Sequence, residues 1–153
     1  MNRKQLSADL QRMIPRVMRE MPASEVGLFI EALIRERTRQ GNFLHGSSTK
    51  GYSKGHALKR ARRGLPGSRV DLLFQGRMLA AMHSRARAST SSIRIEVGYL
   101  PAISEVNATR IAEYHNTLGA GRSRIIRRFI GLTDSEAQRI VTHMRRKFLT
   151  IPI

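Results

Sequence analysis

Between Gly64 and Met82 the chain passes from turn formers through an apolar run into residues spaced for a helix, and a core has to be built around that passage. Gly64, Pro66 and Gly67 make the turn, because glycine reaches positive φ without steric cost and proline fixes its own φ. Val70-Asp71-Leu72-Leu73-Phe74 is apolar apart from Asp71 and reads as an extended segment. Met78, Leu79 and Met82 then recur at helical intervals, with Ala80 and Ala81 favouring helix. Gly76 sits at the join, where a side chain would crowd the helix entry. Taken alone, the stretch predicts a strand-to-helix corner with no catalytic group.

The segment before it supplies a cover. Leu6, Leu10, Met13, Ile14, Val17, Met18 and Met21 form a stripe at three- and four-residue intervals, an amphipathic helix that kinks or starts at Pro15. Ser24 is the expected N-cap of a second helix with Glu25 in its first turn. Val26, Phe29, Ile30, Leu33 and Ile34 give this helix one apolar face, and Gly41 closes it. Residues 1–41 therefore read as a helical hairpin, which must lie on something apolar.

The partner is a small sheet. Ile93, Ile95, Val97 and Tyr99 alternate with Arg94, Glu96 and Gly98, the period of a half-buried strand. Ala86 and Ala88 alternate with Arg85 and Arg87, and Thr90-Ser91-Ser92 is the turn between two antiparallel strands. A short helix from Asn107 or Thr109 carries Ile111, Ala112 and Tyr114 and breaks at residues 115–121. Residues 124–132 are a further strand candidate. Thr133 with Glu136 predicts a capping box, opening a last helix with Ala137, Ile140, Val141, Met144 and Phe148 on one face. Thr150-Ile151-Pro152-Ile153 is an apolar tail that either frays or tucks against a neighbouring subunit. The expected class is α+β: a small antiparallel sheet packed against amphipathic helices, with a long basic loop. One domain, 1–153, suits 153 residues, divided into the hairpin (1–41), the basic loop (42–69) and an α+β core (70–153).

Charge bears on partners. Twenty-eight Lys and Arg against eleven Asp and Glu give +17, a field that attracts polyanions or acidic protein surfaces without dictating a fold. Residues 42–69 hold Lys50, Lys54, Lys59, Arg60, Arg62, Arg63 and Arg69 with no acid among them. That loop either faces a polyanion or is a solvated excursion. Tyr52 and Phe43 are its only aromatics, too few for a platform that stacks single-stranded nucleic acid.

No catalytic chemistry is legible. The absence of cysteine excludes disulfides, thiolate zinc and cysteine nucleophiles. His45, His56, His83, His115 and His143 stand in separate segments, none at a metal-ligand spacing. There is no nucleophile elbow or phosphate loop, and nothing calls for a cofactor. Arg110 and His115 have the Arg-x4-His spacing of one helical ribonuclease family, a very short pattern without a positioned acid or base. No apolar run reaches membrane-spanning length and residues 1–5 lack the core of a secretion signal, so the expected compartment is a cytoplasm.

Two stretches together resemble a known family. Val70-Asp71-Leu72-x-Phe74-x-Gly76-Arg77-Met78-Leu79, after the basic region at Tyr52-Ser53-Lys54, is similar to the central motif of phage virion morphogenesis and neck proteins. Ala112-Glu113-Tyr114-His115, then Gly119, then Arg128-Phe129-Ile130-Gly131-Leu132-Thr133 resembles a series near the C-terminus of tail-completion proteins. The likeness covers residues 52–153. It departs at residues 118–126, which are more arginine-rich and carry no proline before Arg128. The resemblance implies a non-enzymatic head-to-tail junction component acting as a homo-oligomeric ring, six-fold or twelve-fold. It would lie in the virion after assembly in host cytoplasm, with tail-tube and head-closure or connector proteins as neighbours. Its motif residues here are Asp71, Gly76, Arg77, Tyr114, His115, Gly119, Arg128, Phe129 and Gly131. The expected contacts to neighbouring subunits, to an acidic partner or to DNA in the lumen are Lys50, Lys54, Lys59, Arg60, Arg62, Arg63, Arg122 and Arg124. The rival is a small basic nucleic-acid-binding protein.

Overall fold

The alternation at residues 83–99 is realised as an antiparallel pair, β1 (His83–Ala88) and β2 (Ile93–Gly98), in register from His83 opposite Gly98 to Ala88 opposite Ile93. Here Ser84, Ala86 and Ala88 face Val97, Ile95 and Ile93, small residues against large ones. Ser89 ties the turn: its N–H donates to the Ser92 carbonyl at 2.8 Å, and its Oγ accepts from the Ser92 N–H at 3.0 Å. The computed structural model describes residues 15, 17, 19–47, 50–68, 70–72, 77–89, 91–100, 104–121 and 124–151.

Helix α1 (Ala23–Arg39) lies on this sheet, burying Val26, Ile30, Leu33 and Ile34. The approach is close at Gly27, where a Cβ would stand 2.8 Å from Ser84 Oγ. Ser24 is not the N-cap: Pro22 occupies that position without a side-chain hydrogen bond, and Ser24 falls inside the first turn. Gly41 ends the helix as expected. It takes φ +76°, its N–H meets the Thr38 carbonyl, and the Asn42 N–H meets that of Arg37, satisfying two otherwise orphaned acceptors. Of the predicted first helix, Pro15, Val17, Arg19 and Glu20 are helical; Leu6, Leu10, Met13, Ile14 and Met18 lie outside the described residues. Val17 and Met21 bury with Ile151, so at Ile151 the chain packs on its own first helix; Pro152 and Ile153 lie outside the described residues.

The basic loop contains a helix, α2 (Lys54–Ala61), capped by Ser53 Oγ and closed at Gly64, φ +68°. The expected strand after it is not formed among the described residues. Val70, Asp71 and Leu72 are buried, but Leu72 turns to φ +52°, a conformation incompatible with a strand; residues 73–76 lie outside the description. Helix α3 (Arg77–Ala80) is only four residues long, yet side chains capture its exit carbonyls. Tyr99 Oη donates to Met78 O at 2.7 Å, Arg35 to Leu79 O and Met82 O at 3.1 and 2.6 Å, and Ser104 Oγ to Ala81 O at 2.9 Å. Met78, Leu79 and Met82 fill the core between α1 and Phe129.

Helix α4 (Val106–Glu113) continues through a π-helical turn, Tyr114–Leu118. The strand candidate at 124–132 is also corrected. Only a single bridge, Ala120 to Ile125, forms there, and Arg124 sits at φ +45°. The main chain beyond it is satisfied without a neighbouring strand: Arg127 N–H donates to His115 O, Arg128 N–H to Ser47 Oγ, and the N–H groups of Phe129 and Ile130 both to Asn116 Oδ1. Helix α5 (Asp134–Leu149) opens on the predicted capping box, Thr133 with Glu136. Its expected apolar face is split. Ile140 is buried and Met144 packs on the core, but Ala137 is exposed and Val141 and Phe148 are each 47% exposed. The class is α+β, with α1 packed on the sheet, α5 against α1, and α3 against α4.

Candidate functional site

Helices α2, α3 and α4 and the π turn enclose an open cleft of about 630 Å³. One wall is Tyr52 and His56; the floor is Leu72 and Met78 with Arg77 at its rim. The opposite wall follows from the spacing in α4, which buries Ala108 and Ala112 and turns Ile111 outward, and from the π turn, which brings in His115. Arg127 lies in the cleft lining. A shallower groove of about 620 Å³ continues from it, sharing Ile111, His115, Ala120 and Gly121 and adding Tyr114, Leu118 and Arg124. Gly119 bends the groove's outer edge. At φ +83°, a Cβ there would fall 2.2 Å from the Arg124 carbonyl oxygen, so only glycine fits.

Among the described residues three arginines are buried, Arg60 and Arg127 at these elements and Arg37 between α1 and α5. Arg60 is fully buried, donates to Asp71 Oδ2 at 2.7 Å and to the Pro66 carbonyl at 2.7 Å, and stacks 4.7 Å from the Tyr52 ring centre. Tyr52 Oη in turn donates to Asp71 Oδ1 and accepts from the Leu72 N–H, each at 3.3 Å. Arg37 reaches Glu136 Oε1 at 2.8 Å and the carbonyls of Phe129 and Gly131 at 2.9 and 2.8 Å. Glu136 thus caps α5 and ties α1 to it. Arg127, 5% exposed, donates to the Lys50 carbonyl at 3.0 Å, and its Nε has no partner.

The titrating groups respond to this setting. Burial, helped by the Arg127 charge, pushes His115 down to about 4, so its ring is neutral at pH 7. Burial and then Arg60, Lys59 and Arg127 lower His56. Burial raises Tyr52 against the opposing pull of Arg60. Both cleft histidines are held neutral in a positive field, and His115 Nδ1 is buried without a partner.

Five of the nine motif residues meet at the cleft and groove. Arg77 and His115 line the cleft, Tyr114 and Gly119 the groove, and Asp71 holds Arg60 behind the Tyr52 wall. Phe129 is fully buried edge-on to Tyr99; Gly131 holds Arg37, and Arg128 is exposed with its carbonyl accepting from the Leu44 N–H. Gly76 and Arg122 lie outside the described residues. Of the expected contact cations, Lys50, Lys54, Lys59, Arg62, Arg63 and Arg124 are exposed. Arg60 is a correction: its charge is spent inside the fold on Asp71 and cannot meet a lumen or partner. Sequence reasoning missed Arg127 and the cleft, since nothing at Arg127 distinguishes it from Arg128 beside it. Asp71 did signal itself, as the one acid in an apolar run.

Among the described residues, no group of three His, Asp or Glu side chains could hold a metal ion, and no described helix is long and apolar enough to cross a membrane. No family model, no curated protein and no solved structure matches this chain.

Proposed function

We propose that the chain is a non-enzymatic structural protein of a tailed phage, a tail-completion or neck component whose copies form a ring at the head-to-tail junction. The observation that carries this reading is that residues of two motif stretches, far apart in sequence, share one cleft: Arg77 and His115 both line it, with Asp71 bonded to its Tyr52 wall. A ring also needs unlike faces of one subunit to meet head to tail. Apolar side chains are exposed for this at Val141, Phe148 and Leu149 on α5 and at Leu58 on α2. Lys54, Lys59, Arg62 and Arg63 on and after α2 are exposed, suited to screening DNA phosphates in a lumen or to meeting an acidic ring, without reading bases. The assembled protein would reside in the virion, after assembly in the host cytoplasm.

The test is a triple reversal, Lys59→Glu with Arg62→Glu and Arg63→Glu, in an assembly assay. Heads and tails should both form yet fail to join, while the purified subunit keeps its thermal transition. Normal joining removes the role given to α2. The charge of +17 favours a second reading, a small nucleic-acid-binding protein. That protein would bind duplex DNA as an isolated subunit, with affinity falling steeply in salt, whereas the junction component would retain DNA weakly and close into a ring.

A further inference from the structure

Of the three buried guanidinium groups, two are matched by buried carboxylates, Arg37 by Glu136 and Arg60 by Asp71. Among the described residues no carboxylate pairs with the third, Arg127, and it is the one that lines the cleft. Arg37 and Arg60 each leave one terminal nitrogen without a partner as well, but their charge is balanced in place. A buried charge without a counter-charge is costly. We infer that the cleft receives a carboxylate from another protein, an Asp or Glu in an extended segment whose flanking apolar residues lie along the adjoining groove.

The shape of the site selects the occupant. Cleft and groove are continuous through Ile111 and His115, a path too long for one small acid and suited to several extended residues. Its exposed apolar surface comes from Ile111, Tyr114 and Leu118, between 44% and 55% exposed, which gives side chains beside the acid a place to bury. Glu105 is the one acid in the lining, against Arg77 and Arg127. With the chain at +17 overall, a segment of a second copy is disfavoured as the occupant of this cleft, and an acidic partner is drawn in. A DNA strand would lay a continuous row of phosphates along Leu72, Met78 and Ile111 as well as past Arg77 and Arg127, and those three apolar side chains offer phosphates no donors. Nothing in this inference requires a ring.

The test uses the full chain and a fluorescein-labelled decapeptide of alternating Leu and Glu, read by anisotropy at physiological salt. A Ser-Glu peptide of the same charge, a Leu-Gln peptide and a short DNA duplex are the comparisons. The Leu-Glu peptide should bind more tightly than all three. Arg127→Gln should weaken it roughly 30-fold, the usual effect of truncating one member of a buried charge pair. Ile111→Glu, an exposed change that leaves the core alone, should weaken it at least about 10-fold, and this variant decides the matter if Arg127→Gln does not fold. Arg145→Glu, exposed on α5 and outside the lining, should change affinity less than about 3-fold. The inference is overturned by Leu-Glu binding weaker than about millimolar, by equal binding of the Ser-Glu peptide, by tighter binding of DNA, or by an Ile111→Glu protein that binds like the original.

Discussion

Removing the carboxylate of Asp71 should be among the most damaging single changes in this protein. Arg60 and Asp71 have side-chain exposures of 0% and 4%, with a single 2.7 Å ion pair between them. Asp71→Ala leaves a guanidinium charge in the core with only the Pro66 carbonyl and the Tyr52 ring for company. Breaking a buried pair from one side costs about 3–5 kcal/mol. The lost hydrogen bond from Tyr52 adds about 1 kcal/mol. For a chain of this size each kcal/mol moves the melting temperature by about 2–4 °C, so the variant should melt roughly 8–24 °C lower. Urea unfolding followed by circular dichroism measures the free energy directly. The double variant Arg60→Met with Asp71→Leu should recover most of the loss, because apolar residues of similar volume replace a buried pair at little cost. A loss below about 1 kcal/mol for Asp71→Ala, or a double variant as unstable as the two single changes added together, would refute the assignment of Arg60 to the interior.

Other expectations follow from the same geometry. Thr133→Ala removes the N-cap of α5 and should cost about 1 kcal/mol, whereas Glu136→Ala also strands Arg37 and should cost about 3–5 kcal/mol; urea midpoints of the two variants separate them. The acid response turns on His115, which is neutral when folded down to about 4 while the unfolded ring takes its proton near 6.5. The unfolded state therefore binds the extra proton between those values, and stability is full above pH 6.5 and falls as pH drops towards 4. The loss is at most about 3 kcal/mol, less whatever solvent screens the partly exposed ring. His115→Leu should flatten that dependence in unfolding curves taken across this window. Gly27→Val should separate α1 from β1 and cost at least about 2 kcal/mol by thermal melting, because even a Cβ meets Ser84 at 2.8 Å.

What was legible in the chain was what short-range physics dictates. The period-two run at 93–99 could bury one face only by pairing, and Ala86 and Ala88 were at hand to face it. Thr133 with Glu136, and Gly41 after the second apolar stripe, are local devices that act the same way in most surroundings. Illegible were the features that depend on distant partners. Residues 70–74 and 124–132 are apolar enough for strands, but Leu72 and Arg124 turn to positive φ, and among the described residues neither segment joins the β1–β2 sheet. Periodicity in α5 gave a correct helix and an incorrect face, since spacing does not say which apolar residues will find a cover; Val141 and Phe148 do not. The same limit applies to the cleft. Composition marked residues 42–69 as basic, yet which cation is buried and which is exposed depends on Asp71 and on where Arg127 meets the π turn.

The Asn116 amide has a further consequence for the company this protein can keep. One side-chain oxygen takes two successive N–H groups, those of Phe129 and Ile130, and thereby stands in for the row of acceptors that a neighbouring ribbon would offer. The straightened backbone from Arg127 to Ile130 is laid across the molecule with its donors already spoken for. It therefore gives no template on which a loose ribbon from a crowded neighbour could polymerise.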